Sequence, residues 1–126
     1  MRRSAAKISG REPIYLNPED AAVRGIGEKD VVRVFNTRGA VLCGARLCSA
    51  LAPGVVLIET GAWLSPAPEL GFDCAHGNVN VLTADNRTSQ LAQGCAANSV
   101  LIEVEPYRGP LPEVAVHAPP TFVSRE

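Results

Sequence analysis

Apolar and polar positions change period several times along the chain, and each change marks an element. Pro13-Ile14-Tyr15-Leu16 reads as a short strand. Asn17-Pro18-Glu19-Asp20 then opens a helix: Asn17 can cap it, Pro18 suits its first position, and two acids sit at the positive end of the dipole. Gly25 reads as its stop, and Ile26 to Asp30 as a turn containing Gly27. Val31-Val32-Arg33-Val34-Phe35-Asn36 is rich in strand formers. Asn36-Thr37-Arg38-Gly39 follows as a turn, with Gly39 free to take positive φ. From Ala40 to Leu47 the pattern alternates, with Val41, Cys43, Ala45 and Leu47 on one face and Leu42, Gly44 and Arg46 on the other. The two runs together predict a hairpin.

Beyond the Ala52-Pro53-Gly54 break, Val55-Val56-Leu57-Ile58 is apolar throughout and is expected to be a strand buried on both faces. Gly61 to Gly77 holds Trp63, Pro66, Pro68 and Gly71 with little periodicity. It reads as a long loop, expected to be among the least ordered parts of the chain. His76-Gly77-Asn78-Val79-Asn80-Val81-Leu82-Thr83 alternates amides with apolar residues. As a strand it sets Asn78 and Asn80 on one face, although asparagine is a poor strand former and an unpartnered buried amide costs free energy. Ser89 to Gln93 suggests one helical turn ended by Gly94. Val100-Leu101-Ile102-Glu103-Val104 is the last strand, with Val100, Ile102 and Val104 facing one way. The tail from Pro106 is proline-rich and expected to cross the surface. About five or six short strands, one short helix and no repeat point to a closed or nearly closed barrel.

Composition narrows the function classes. The chain has 126 residues, enough for one domain, and its 46% hydrophobic content is ordinary for a globular protein. With 12 basic against 13 acidic side chains, it lacks the basic excess of a nucleic-acid binder. No apolar run is long enough for a transmembrane helix, and no membrane partner is expected. Arg2-Arg3 is not followed by an apolar stretch, so the start reads as a domain boundary rather than a twin-arginine signal. Cys43, Cys48, Cys74 and Cys95 include no C-x-x-C pair, and His76 and His117 lack metal-ligand spacing to them. The cysteines read as free thiols, and Cys43 and Cys48 on one strand point to opposite faces.

Candidate chemistry is sparse. Ser65, Ser89 and Ser99 lack a nucleophile-elbow context. Cys74 and His76 are close in sequence, but a nucleophile–base pair between them has to be built by the fold. Gly25-Ile26-Gly27 has neither the third glycine nor the βαβ setting of a dinucleotide fingerprint. Trp63 reads as a core or interface anchor. Asn86-Arg87-Thr88 fits a glycosylation sequon, a pattern short enough to arise by chance. The polar cluster Asn78, Asn80, Thr83, Asp85, Ser89, Gln90, Gln93 and Asn98 is more distinctive. Its amides combine donors and acceptors and suit a ligand with mixed edges, such as a pterin or guanine. Turn chemistry and a solvated loop account for the same residues equally well.

Five segments occur in an order that identifies a resemblance: "NPEDAAVRGIGEKDVVRVFNTRGAVLCGA", "GAW" at Gly61–Trp63, "GNVNVLT", "TSQLAQGCAANS" and "VEPYRGP". Together they resemble the C-terminal molybdopterin-dinucleotide-binding domain of the dimethyl sulfoxide reductase superfamily, in the branch of trimethylamine N-oxide, biotin sulfoxide and dimethyl sulfoxide reductases. The resemblance runs from Arg11 to Gly109. It implies a mainly β fold, a six-stranded double-psi β-barrel with one or two short helices. Residues 1–10 are then a flexible arm, 11–109 the barrel and 110–126 a tail. It also implies a parent enzyme that reduces S-oxides or N-oxides by oxygen-atom transfer on bis(molybdopterin guanine dinucleotide) molybdenum. The other domains of that parent are the expected partners.

Asn80 matches the family asparagine of the V-N-x-L-T motif, whose amide faces a pterin. Asn98 matches a position that is Gln, His or Asn in relatives and approaches the cofactor. Thr83, Ser89 and Gln93 fall in the same motifs. The chain departs from the family upstream, where relatives carry a His-Ser-Gln stretch with pterin contacts that is missing before Arg11. The molybdenum-ligating serine of these enzymes lies in another domain, so the chain is expected to be a non-catalytic fragment. The alternative from another class is a free-standing β-barrel that binds a protein partner or small ligand.

The strands are apolar enough to make one core, and no structural metal site is legible. The isolated chain is therefore expected to fold without metal and to hold no cofactor. Elemental analysis is expected to find no stoichiometric molybdenum or zinc; one tightly held metal per chain overturns this.

Overall fold

The computed structural model describes residues 7–84, 86–92, 94, 100–115, 118–119 and 121–124. They form a mainly β fold with one α-helix. The strands are β1 (Pro13–Leu16), β2 (Val31–Phe35), β3 (Ala40–Leu47), β4 (Val56–Ile58) and β5 (Glu103–Pro106), and α1 spans Pro18–Arg24. They make one sheet in the order β4-β1-β3-β2-β5. β1 lies parallel to β3, from Pro13 opposite Gly44 to Leu16 opposite Leu47, whereas the other pairs are antiparallel. Among the described residues, β4 and β5 stay outer strands and the sheet is not closed.

The helix forms as its sequence dictates. Asn17 Oδ1 accepts the Glu19 N–H at 2.8 Å, and Asn17 Nδ2 donates to the Leu51 carbonyl at 2.7 Å, so one side chain caps the helix and ties down the loop after β3. Gly25 closes the helix in the left-handed region at φ 69°. The β2–β3 hairpin runs from Val31 opposite Gly44 to Phe35 opposite Ala40. The alternation on β3 separates two cores. Val41, Cys43 and Ala45 join Ile14, Leu16, Ala21, Val32, Val34, Leu82 and Val104 on one side. Ala40 and Leu42 join Ala67, Phe72 and Ala75 on the other, where Tyr107 meets Phe72 edge-on at 5.1 Å.

Four expectations change. Gly39 does not take positive φ; the turn is closed instead by Asn36 Oδ1, which accepts the Arg38 and Gly39 N–H groups at 2.9 and 3.3 Å. β4 is not buried on both faces. It is an outer strand whose Val56 and Ile58 pack on the core while Leu57 is half exposed. The last ladder starts at Glu103, because β2 ends opposite it at Phe35; Val100 and Ile102 still pack on the core, and Leu101 points outward. The amide-rich stretch is a 3-10 turn, Val79–Leu82, rather than a strand. Asn78 Oδ1 accepts the Asn80 N–H at 3.0 Å and draws the backbone into the turn.

The ends are packed too. Ile8 is buried, and a Cβ on Gly44 would fall 2.2 Å from its Cβ, so glycine there lets the 7–12 segment lie flat on β3. Arg11 is buried and donates to the Ser9 and Pro112 carbonyls at 2.8 and 2.9 Å, clasping the two arms together.

The long loop divides in two. Its second half packs on β3: the Asp73 N–H donates to the Ala40 carbonyl at 2.9 Å, the Leu42 N–H to Cys74 at 3.1 Å, and Phe72, Cys74 and His76 are buried. Gly61 to Leu64 donate no backbone hydrogen bond among the described residues, and Trp63 is 77% exposed. Amide exchange is therefore expected to be slow at Asp73–Ala75 and faster at Gly61–Leu64 by about two orders of magnitude or more. Equal rates across the loop would contradict this packing.

Candidate functional site

A cleft of about 270 Å³ opens between β4 and the chain leading into β5. Val56 and Ile58 form one wall and Val100 and Ile102 the other. Buried Leu82 lies at its base, while Thr60, Asn80 and Thr83 supply its polar atoms. The 3-10 turn brings Asn80 and Thr83 here together. Thr83 donates its hydroxyl to the Asn80 carbonyl at 3.0 Å, and the Thr83 N–H reaches the same oxygen at 3.4 Å.

Asn78 and Asn80 divide their roles. Both polar ends of the Asn78 side chain are engaged within the chain: Nδ2 donates to the Ala62 carbonyl at 3.1 Å, and Oδ1 caps the turn. The Asn80 carboxamide is exposed and makes no hydrogen bond among the described residues. A second cavity of about 300 Å³ shares Val56, Val100 and Ile102 and carries Asp20 and Arg24. There the polar groups are already paired. Asp20 Oδ2 accepts the Gly54 N–H at 2.6 Å, and Arg24 lies 3.9 Å from Glu103. Of these two cavities, the cleft at Asn80 carries a donor and acceptor uncommitted among the described residues.

The other expected site residues fall elsewhere. Ser89 lies apart from the cleft, its hydroxyl oxygen accepting the Leu91 and Ala92 N–H groups at 3.3 and 2.8 Å. This closes a tight bend in place of the helical turn read from the sequence. Gln93 and Asn98 lie outside the described residues. Cys74 and His76 are both buried, and the bond between them is the His76 backbone N–H to Cys74 Sγ at 3.4 Å, so they form no accessible nucleophile–base pair. Burial, reinforced by neighbouring Cys74 and Glu12, pushes the Cys43 thiol far above its usual range and keeps it protonated. Among the described residues no group of three or more His, Cys, Asp and Glu side chains could hold a metal ion.

Residues 1–101 match the family model described as "Molydopterin dinucleotide binding domain". The chain belongs to this family. Over 126 residues it is 46% identical to trimethylamine-N-oxide reductase of Salmonella typhi, a match covering 98% of this chain and 15% of the relative. It is 49% identical over 114 residues to trimethylamine-N-oxide reductase 1 of Escherichia coli (strain K12), covering 89% and 13%. The enzyme of Vibrio cholerae is 44% identical over 122 residues, covering 96% and 15%. The chain thus spans about 15% of the length of the curated relatives it matches. Among solved structures, acetylene hydratase from Pelobacter acetylenicus shares the fold, with a TM-score of 0.61 at 21% identity over 76% of this chain and 14% of that one.

The donor set suits the family's ligand. A pterin or guanine edge alternates donors and acceptors, and a carboxamide offers both. Asn80 presents one with no competing partner among the described residues. The apolar walls of the cleft lower the local dielectric and strengthen any such bond.

Sequence reasoning reached Asn80 and Thr83 but not the walls. Val56, Ile58, Val100 and Ile102 read as ordinary strand residues, and only the open seam between β4 and residues 100–102 turns them into a cleft. Thr60 carried no signal at all.

The division of roles gives opposite expectations for the two asparagines. Asn78→Ala leaves the partly buried Ala62 carbonyl without its partner and uncaps the exposed Asn80 N–H, and is expected to cost about 1–2 kcal/mol. Asn80→Ala removes no side-chain bond among the described residues and is expected to stay within about 0.5 kcal/mol of wild type. Denaturant midpoints of the two variants distinguish the cases; a similar loss from both makes Asn80 a structural residue.

Proposed function

We propose that this chain is the cofactor-closing domain of a molybdenum enzyme that reduces N-oxides or S-oxides, with Asn80 as its principal cofactor contact. The observation that carries the reading is the uncommitted Asn80 carboxamide at the mouth of the apolar cleft. Relatives named as trimethylamine-N-oxide reductases, far longer than this chain, support the activity of the parent. When bound, the bis(molybdopterin guanine dinucleotide) molybdenum group supplies the two-electron oxygen-atom chemistry. This domain binds and orients that group and excludes water from it. It holds no catalytic residue of its own.

In this reading Thr83 fixes the turn that presents Asn80, Asn98 is a further cofactor residue, and Gln93 is a weaker one. Ser89 acts through its loop. The segment 72–76 runs beside the start of β3 in line with β1, with Val41 paired to Cys74 and the Glu12 N–H donating to the His76 carbonyl. This supports reading the fold as a six-stranded double-psi barrel over 11–109, flanked in sequence by the arm 1–10 and the tail 110–126. Exposed Leu57, Trp63, Leu64 and Leu101 are large apolar side chains suited to contact with the rest of a parent chain.

The test uses the full-length reductase. Asn80→Ala is expected to raise the rate of molybdenum loss on dialysis about tenfold, the effect of one or two lost hydrogen bonds. Unchanged retention would falsify the contact. A source gene encoding no longer reductase frame would remove the parent enzyme altogether.

A further inference from the structure

Asn36 sits in the β2–β3 turn, outside the cleft lining, yet its side chain is fully engaged. Oδ1 accepts the Arg38 and Gly39 N–H groups, which closes the turn. Nδ2 donates to the Leu82 carbonyl at 2.8 Å and to the Leu101 carbonyl at 3.3 Å. These two acceptors belong to the base and to one wall of the cleft. Leu82 ends the 3-10 turn that carries Asn80 and precedes Thr83, and Leu101 lies between the wall residues Val100 and Ile102. One amide nitrogen therefore spans both.

A second observation fixes the turn itself. A Cβ on Gly39 would fall 2.7 Å from Asp73 Oδ2 and 3.3 Å from the Val81 carbonyl. Asp73 Oδ2 in turn accepts the Ala40 N–H at 2.8 Å. The hairpin turn thus lies close against Asp73 and the 3-10 turn, and a side chain at Gly39 would have to displace the Asp73 carboxylate and crowd the Val81 carbonyl. Asn36 is therefore seated close to the carbonyls it reaches.

We infer that Asn36 is the positioning residue of the cofactor cleft, its Nδ2 setting the spacing between the turn that presents Asn80 and the wall at Val100–Ile102. This rests on the cofactor reading above. Closing a hairpin turn needs only Oδ1, and Asp serves that role as well as Asn. The two donor hydrogens of Nδ2 are what the cleft uses. Asn36→Asp therefore separates the roles: it keeps the turn acceptor and replaces the shared donor with a carboxylate facing two carbonyl oxygens.

The experiment compares wild type, Asn36→Asp and Asn80→Ala in the full-length reductase, reading molybdenum retained on dialysis and amide exchange of peptides covering 79–84 and 100–104. At pH 7 Asn36→Asp is expected to lose molybdenum about five- to tenfold faster than wild type and to speed exchange in both peptides. Wild-type exchange in both peptides overturns the inference. Faster exchange without faster molybdenum loss, while Asn80→Ala does lose it, also overturns it. If neither variant alters retention, the cofactor reading fails and takes this inference with it. Should Asn36→Asp not fold, Asn36→Ser, with one short donor that cannot span both carbonyls, is expected to lose molybdenum faster than wild type, and wild-type retention by it overturns the inference.

Discussion

β3 is buried along most of its length on both faces; β1 and β2 pair with it directly, and β4 and β5 attach through them. Such a strand needs partners along both edges, since an unpaired buried backbone group is costly. β2 supplies one edge; β1 and the segment around Cys74 share the other end to end. The small residues of β3 make this crowding feasible. Ala40, Cys43, Gly44 and Ala45 leave room for Phe72, Ile14 and Ile8 to approach. A bulky side chain at Gly44 would displace the N-terminal segment, and with it the Arg11 clasp on the tail.

What was legible in the sequence was local, and what was not was long-range. α1 could be read to the residue because its signals, Asn17, Pro18 and Gly25, act within one turn. The β2–β3 hairpin and the two faces of β3 followed from period-2 alternation. β4 misled because four consecutive apolar residues look alike whether a strand is covered on one face or two; Val56 and Ile58 face the core, while Leu57 points to the other face and is half exposed. Val79–Leu82 misled for a different reason. Alternating amides and valines give a strand period, yet Asn78 offers its own backbone a nearer acceptor than any neighbouring strand could. Of the candidate site, the polar rim was visible through its motif, and the apolar walls were not, because they come from segments that meet only in the fold.

The three asparagines in and around the cleft show how one kind of side chain serves three ends. Asn36 is engaged at every polar atom and joins segments 46 and 65 residues away in sequence. Asn78 is engaged at both ends but works between its own turn and the neighbouring loop. Asn80 is engaged only through its backbone. Composition alone makes the three equivalent. Their difference lies in which partners the fold brings within about 3 Å, the reach of a hydrogen bond.

That gradient has a physical logic. A carboxamide left to bind a ligand is effective only if its own backbone does not move to satisfy it first. Asn80 is held from below by the Asn78 cap and by Thr83, and Thr83 follows the carbonyl that Asn36 holds. The side chain thus stays available because the atoms around it are already satisfied. Pre-organisation of this kind lowers the ordering cost of binding. A flexible loop bearing the same asparagine would have to freeze on contact, at about 1–2 kcal/mol per ordered residue. A turn pinned from both sides avoids most of that cost, and this is the advantage of setting the amide on a 3-10 turn over the core rather than on the exposed half of the long loop.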